Sequence, residues 1–231
     1  MTQQAPLPIL DVDRIAAISA RLTLRQPNKE ALESIALEIG QHYQIDRLPR
    51  PCEAVVALAT GVGKTFVIAA TIEYLAAEGV RNFAVITPGR TILQKTVANF
   101  TVGHSKSLLA GMEVRPTVIT SGDFATAEMR ADMDDPGKVK LFIFTVQALL
   151  WPKSKVDRRT HQFHEGLGKA FYAHLQGLDD LVVFADEHHT YSGPAFSSAI
   201  RKLGPRVHLG LTATPDKATV AIYSYPLAAA I

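Results

Sequence analysis

Cysteine is nearly absent from this 231-residue chain, because Cys52 is the only one. A single cysteine excludes an intramolecular disulfide and a cysteine-rich zinc site, and it favours a reducing compartment. Long apolar runs are missing too, and none approaches the roughly 18 residues that a membrane-spanning helix needs. The first residues also lack the basic and apolar regions of a signal peptide. We therefore expect a cytoplasmic protein with no membrane partner.

Strong net charge is the next absence. The chain has 24 Lys and Arg residues against 22 Asp and Glu, a formal charge of +2. A balance so close to neutral excludes a globally basic nucleic-acid binder, so any nucleic-acid surface must be a local patch. The 47% hydrophobic and 20% charged content is ordinary for a globular domain.

Short apolar runs typical of buried strands occur six times. They are EAVVAL, NFAVIT, PTVIT, KLFIFT, LVVFAD and RVHLGL, beginning at residues 53, 82, 116, 140, 181 and 206. Helical patterns lie between several of them, and most runs are apolar without alternation, which indicates strands that are buried on both faces. The sequence therefore predicts an α/β fold with a mostly parallel central sheet and helices on both faces.

Two helical patterns precede the first strand. The first, LDVDRIAAISARL, has Asp11 or Asp13 as its predicted N-cap, and the second, NKEALESIALEIGQHY, has Asn28 in that position. We expect these helices to form an N-terminal segment over residues 1–45, followed by the α/β unit over residues 46–231.

The stretch ATGVGKT connects a predicted strand to a predicted helix and has the character of an anion site. Glycines allow backbone angles that turn successive N–H groups inward, and the helix N-terminus adds its positive end. Lys64 can reach the terminal phosphates of a nucleotide, and the Thr65 hydroxyl can ligate Mg²⁺. Leu58 stands where the general pattern has glycine. This stretch therefore predicts phosphate binding by Gly61, Gly63, Lys64 and Thr65.

The stretch LVVFADEHH supplies carboxylates at the end of another predicted strand. Asp186 is a predicted Mg²⁺ ligand, and Glu187 is predicted to polarise the attacking water. The alternative is a zinc site at His188 and His189, with His161 and His164 or carboxylates as further ligands. Hydrogen bonding near the nucleotide is the other role open to these histidines.

Three motifs, ATGVGKT, DEHH and GLTATP, follow one another in this order. Together they resemble the first RecA-like lobe of superfamily-two helicases and translocases of the DEAD/DEAH type. The resemblance is closest to the group containing the motor subunits of type I and type III restriction enzymes, where a bulky residue at the position of Leu58 is common. It covers about residues 24–231.

The resemblance implies a fold, two cofactors and several roles. It implies that ATP and Mg²⁺ are bound by the phosphate loop together with Asp186 and Glu187, with Lys64 and both carboxylates in catalytic roles. The loop residues implied to bind the ATP phosphates are Thr60, Gly61, Val62, Gly63, Lys64 and Thr65. The stretch TPGR and the stretch FTVQAL resemble motifs that contact the nucleic-acid backbone. The residues implied to couple hydrolysis to lobe movement are Thr212, Ala213 and Thr214, and those implied to contact nucleic acid are Pro88, Gly89, Arg90, Thr145 and Gln147.

The stretch LRQPNKEAL resembles an element that recognises adenine. This chain has Asn28 where the family usually has glutamine, and Gln26 lies two residues earlier. The DEHH spelling differs from the D-E-A-D of common RNA helicases, which favours DNA over RNA as the partner.

Only seventeen residues, 215–231, follow the TAT of the third motif. They are too few for a second RecA-like lobe, so we expect the chain to be the ATP-binding half of a DNA helicase or translocase, with very slow ATP hydrolysis by itself. Arg201 and Arg206 flank the last predicted strand and are expected to lie away from the phosphate loop. The alternatives are an ATP-binding switch or adaptor without motor activity, and a kinase, for which no acceptor site or lid is evident.

Overall fold

A computed structural model describes residues 10–120, 122–123, 126–149, 171–187, 194–215 and 219–226. All the statements below refer to these residues. Within them, no helix is both long and apolar enough to cross a membrane.

The centre of the molecule is a seven-stranded sheet in which every paired strand is parallel to its neighbour. The strands are β1 (Cys52–Leu58), β2 (Asn82–Thr87), β3 (Thr117–Thr120), β4 (Lys140–Thr145), β5 (Val182–Asp186), β6 (Val207–Thr212) and β7 (Tyr223–Tyr225). Their order across the sheet is β3-β4-β2-β5-β6-β1-β7. All six predicted strands are present, and the prediction of an α/β fold with a parallel sheet is confirmed.

Helices cover both faces of the sheet, as predicted. They are α1 (Val12–Leu22), α2 (Gln26–Gly40), α3 (Lys64–Ala77), α4 (Arg90–Asn99), α5 (Ala127–Asp134) and α6 (Pro194–Lys202), and residues 171–176 are also helical. The last turn of α2 continues as a π-helix over Gln41–Ile45, and a 3₁₀-helix over Val146–Leu149 follows β4.

Two hydrophobic clusters hold these layers together. On one face, side chains of α1, α2 and α3 such as Ile15, Leu32 and Val67 pack against β1 and β6. On the other face, Phe171 and Ile200 belong to a second cluster with residues of β2, β4 and β5. Because strands buried on both faces expose neither side to water, alternation of polar and apolar residues is absent from most of them.

The N-terminal helices are built largely as their sequences predict. Asp11 caps α1 by accepting a hydrogen bond from the Arg14 amide at 2.9 Å. The predicted start of the second helix is wrong, because α2 begins at Gln26 with Arg25 as its N-cap. Proline in the first turn of a helix loses no hydrogen bond, so Pro27 lets α2 start before Asn28.

Strand β7 is absent from the sequence-based prediction. Its three residues pair with the end of β1, Val56 opposite Tyr223 and Leu58 opposite Tyr225. A strand of this length carries no periodic signal, and only the free edge of β1 gives it a partner. The Tyr223 hydroxyl also donates a hydrogen bond to Glu30 of α2 at 2.7 Å, which ties this edge to the N-terminal helices.

Candidate functional site

The phosphate loop runs from the end of β1 to the first residue of α3. Gly61 and Gly63 have φ angles of +83° and +112°, a backbone region that residues with a β-carbon rarely adopt. The Val62 amide donates to the Ala59 carbonyl at 3.2 Å and closes the turn. The glycines of the sequence pattern are therefore required by the backbone, and the loop leads directly into the positive N-terminus of α3.

Asn28 lies underneath this loop. Its side chain is 2% exposed, and its amide nitrogen donates a hydrogen bond to the Val62 carbonyl at 3.1 Å and lies 3.4 Å from the Gly63 carbonyl. A β-carbon at Gly63 would come within 3.3 Å of the same nitrogen. The sequence placed Asn28 at the nucleotide site only through a resemblance, and no local pattern indicated this contact with the loop.

Gln26, the other residue assigned to adenine, has a different environment. Its exposed side chain donates to Glu30 at 2.8 Å within α2, and Glu30 in turn accepts from Tyr223. The two hydrogen bonds lower the pKa of Glu30, that from Tyr223 having the larger effect. Gln26 and Asn28 therefore do not share one environment, although they are two residues apart.

Lys64 and the two carboxylates of the DEHH motif meet at the end of the sheet. The Lys64 ammonium forms an ion pair with Glu187 and lies 3.8 Å from a carboxylate oxygen of Asp186. The three side chains are 13%, 23% and 16% exposed, respectively. Glu187 has a φ of +55°, which turns the chain sharply after β5 and directs its carboxylate towards Lys64.

Asp186 has the surroundings of a cation ligand. Burial raises the pKa of its carboxyl group, an effect that the charge of Lys64 opposes and that of Glu187 reinforces. Its Oδ1 atom is buried and forms no hydrogen bond with any residue that the structure describes. The Lys64 ammonium, 3.8 Å from this oxygen, is too distant to donate a hydrogen bond to it. A buried carboxylate oxygen without a hydrogen bond is costly, so the residues present fit a hard divalent ion such as Mg²⁺. Thr65, the second residue of α3, carries a hydroxyl oxygen of the kind that Mg²⁺ binds.

The third motif lies between the first two. Strand β6 pairs with β1 on one side, where Ala57 is opposite Thr212, and with β5 on the other, where Asp186 is opposite Leu211. Thr212 is 1% exposed, and its hydroxyl accepts a hydrogen bond from the Thr214 amide at 3.1 Å. The segment formed by Thr212, Ala213 and Thr214 therefore starts between the phosphate loop and the carboxylates.

The predicted nucleic-acid residues lie at the same edge of the sheet. Strands β2 and β4 are neighbours, with Thr87 opposite Thr145, so Pro88 and Gln147 follow adjacent strand ends. The Gln147 amide reaches the Pro88 carbonyl at 3.5 Å. Gly89 precedes α4, and Arg90 is its first residue, with an exposed side chain.

The order of strands divides this edge into two neighbouring parts. Strands β5, β6 and β1 carry the predicted nucleotide residues, and β4 and β2 carry the predicted nucleic-acid residues. Because β2 pairs with β5, the two parts are continuous. In parallel sheets ligands bind beyond the carboxyl ends of the strands, which is where both sets lie.

The zinc alternative rests on residues that lie outside the described part of the chain, namely His161, His164, His188 and His189. Among the residues that the structure describes, no group of three or more His, Cys, Asp or Glu side chains is arranged to hold a metal ion.

Residues 21–217 match the model of the family described as "Type III restriction enzyme, res subunit". No curated protein sequence matches the chain at a significant level.

Several solved structures share the fold. The Sulfolobus solfataricus SWI2/SNF2 ATPase core in complex with dsDNA has a TM-score of 0.52 at 15% identity over 83% of this chain and 32% of its own. The UvsW helicase from bacteriophage T4 has a TM-score of 0.52 at 14% identity, over 86% of this chain and 55% of its own. A nuclease-deletion mutant of the type ISP restriction-modification enzyme LlaGI, in complex with a DNA substrate mimic, has a TM-score of 0.53 at 18% identity, over 83% of this chain and 17% of its own. The chain thus covers between 17% and 55% of the length of these three proteins.

Proposed function

The chain belongs to the family of type III restriction enzyme res subunits, and we propose that it is the ATP-binding lobe of a DNA-dependent ATPase of the helicase or translocase type. The observation that carries this proposal is the meeting of Lys64 with Asp186 and Glu187 beside the phosphate loop. A buried cation between two carboxylates, at the N-terminus of a helix, matches the demands of a nucleoside triphosphate and its metal ion.

Each residue of the site has a role in this proposal. The loop amides and Lys64 bind the β- and γ-phosphates, while Thr65 and Asp186 would hold Mg²⁺. When bound, Mg²⁺ neutralises charge on the phosphate oxygens. Glu187 accepts a proton from the attacking water and orients it towards the γ-phosphate.

The ion pair between Lys64 and Glu187 separates when the nucleotide binds. The γ-phosphate carries more negative charge than one carboxylate, so Lys64 pairs with it instead of with Glu187, and the Glu187 carboxylate can then act on water. Without a bound triphosphate, Glu187 therefore stays paired with Lys64 and does not act as a base.

DNA is the proposed track. Two of the structural neighbours, the SWI2/SNF2 core and LlaGI, were solved with dsDNA and with a DNA substrate mimic. In this chain Arg90, at the exposed N-terminus of α4, would contact a phosphate, and the strand ends carrying Thr145 and Gln147 would extend the contact.

A second RecA-like lobe is the proposed partner for turnover. An arginine from the far side of the nucleotide contributes about 10³ to 10⁵ in rate in related NTPases. Arg201 forms a two-point ion pair with Glu53 near the start of β1, at 3.0 Å for both contacts. Glu53 lies five residues before the end of β1 at Leu58, about 16 Å at 3.3 Å per residue, so Arg201 is held at the opposite end of this strand from the phosphate loop.

Calorimetry with Mg·ATP and Mg·ADP tests the proposal on this chain. Lys64→Ala should weaken nucleotide binding by about 1.5–3 kcal/mol, because a charge-assisted contact is lost. Lys202→Ala, at an exposed position on α6, is the matched control and should leave the affinity unchanged. Equal affinities of the wild-type chain and Lys64→Ala would rule out the phosphate-loop assignment.

A further inference from the structure

The region from β2 to β3 has an unusual charge distribution. Between Gly79 and Gly122 the sequence has five Lys or Arg residues and one acid, Glu113, although the whole chain has 22 acids. That single acid forms an ion pair with Arg21 of α1 at 3.0 Å. The remaining surface of this region is therefore positive, in a chain with a net charge close to zero.

Helix α4 presents part of this charge on one face. Leu93 and Val97 pack against the core, whereas Arg90, Gln94 and Lys95 are exposed. At 3.6 residues per turn these three lie within an arc of about 140°, and Lys95 is about 7.5 Å further along the helix axis than Arg90.

The loop after α4 carries two further exposed side chains that can be positive, those of His104 and Lys106. Its backbone folds back on the helix, since the Leu108 amide donates to the Asn99 carbonyl at 2.8 Å and the Ser107 amide to the His104 carbonyl at 2.9 Å. The Lys106 amide also donates to the His104 ring at 3.1 Å. The side chains of His104 and Lys106 are both exposed.

The cations of this surface are not paired with carboxylates in the described part of the chain. Arg90, Lys95 and Lys106 form no ion pair with any residue that the structure describes, unlike Arg14, Arg21 and Arg201 elsewhere. A solvated helix face usually mixes both signs of charge, which offset each other. On the exposed face of α4, by contrast, the charged residues Arg90 and Lys95 are both positive.

We propose that the α4 strip, defined as Arg90, Lys95, His104 and Lys106, contacts the phosphates of a DNA duplex arm flanking the track. This inference rests on the proposed function. Helix α4 starts at the carboxyl edge of the sheet and runs back along its side, so only Arg90 is at the edge where the track lies. A single DNA strand that followed only this edge would not contact Lys95 or Lys106.

The dimensions fit a duplex. Helix α4 is about 14 Å long at 1.5 Å per residue, which corresponds to about four base pairs at 3.4 Å per step. A stiff duplex lying along this side would bring two or three phosphates to the strip, and their charge is complementary to it. These contacts carry no base specificity.

Salt titrations test the inference on the full chain. The double variant Lys95→Ala/Lys106→Ala should bind a duplex with a single-stranded tail more weakly than wild type, and the slope of log K against log salt should fall in magnitude by about 1–2. Binding to a single strand alone should not change. The control double variant Lys138→Ala/Lys202→Ala removes the same charge from other exposed positions and should change neither.

The outcomes separate this inference from the proposed function. If the wild-type chain shows no salt-dependent binding to any nucleic acid, the proposed function itself fails. If Arg90→Ala weakens binding but the Lys95/Lys106 variant behaves like the control, only the strip is refuted. An equal loss on single strands and on duplex would refute the duplex arm. Melting temperatures equal to wild type for all variants would establish that folding is not the cause.

Discussion

Replacing Glu187 with glutamine separates the two roles that the structure suggests for its carboxylate. In the site as described, Glu187 is paired with Lys64, the residue that the γ-phosphate needs. Glutamine has the same shape without the charge, so it releases Lys64 and also removes a negative charge beside the incoming phosphates. We therefore expect Glu187→Gln to bind Mg·ATP more tightly than wild type, while it loses hydrolysis.

The magnitude follows from the burial of the pair. With 13% and 23% exposure, the ion pair is partly screened by water, and such pairs contribute about 1 kcal/mol. Removing this competition should tighten binding by about fivefold. Hydrolysis should fall by at least about 10²-fold, because glutamine cannot accept the proton of the attacking water.

Two assays measure these effects. Calorimetry on the 231-residue chain gives the affinity, and DNA-stimulated steady-state ATPase, in a version extended by the proposed second lobe, gives the turnover. Glu113→Gln is the matched control, since it removes the same charge at a position with 70% exposure. A Glu187→Gln variant that binds no more tightly than wild type would refute the competing ion pair, and one that hydrolyses ATP at the wild-type rate would refute the role of Glu187 on water.

Three further predictions concern other parts of the molecule. Asn28→Ala leaves the Val62 carbonyl without its buried donor, so the chain should lose about 1–2 kcal/mol of stability and melt at a lower temperature. If Asn28 orients the loop, the variant should lose affinity for ATP and for GTP equally. A loss of affinity confined to ATP would indicate adenine recognition instead. Contacts with His208 and with Arg201 hold the pKa of Glu53 at about 2, below its ordinary 4.5, so its contribution to stability is present above pH 4.5 and is lost as the pH falls towards 2. Chemical denaturation should accordingly show Glu53→Gln to be less stable than wild type by about 1 kcal/mol at pH 7, given the exposure of the pair, with the difference shrinking below pH 4.5; a constant difference down to pH 2.5 would contradict this. The 231-residue chain should hydrolyse ATP very slowly with or without DNA, and extension by the second lobe should raise the rate by about 10³-fold or more; robust DNA-stimulated turnover by the chain alone would show that its site is already complete.

The sequence by itself determined the elements and the chemistry of single segments. The six strands were readable because most of them are buried on both faces and are therefore continuous apolar runs. The phosphate loop was readable because its two glycines have positive φ angles that other residues avoid. These are short-range effects of backbone sterics and side-chain polarity, and they act within a few residues. The start of α2, by contrast, was misjudged by three residues, because Asn28 has the side chain of a typical cap but lies inside the helix, whose N-cap is Arg25.

The tertiary structure decided which segments meet. The order β5-β6-β1 brings Asp186, Glu187 and Thr212 beside the phosphate loop, although 120 residues lie between Thr65 and Asp186 in the sequence. The burial of Asn28 beneath the loop, the edge strand β7 and the contact of Gln147 with Pro88 have no local signal either. Strand order and such contacts arise from packing between distant parts of the chain, and that packing depends on the whole core rather than on any one stretch of residues.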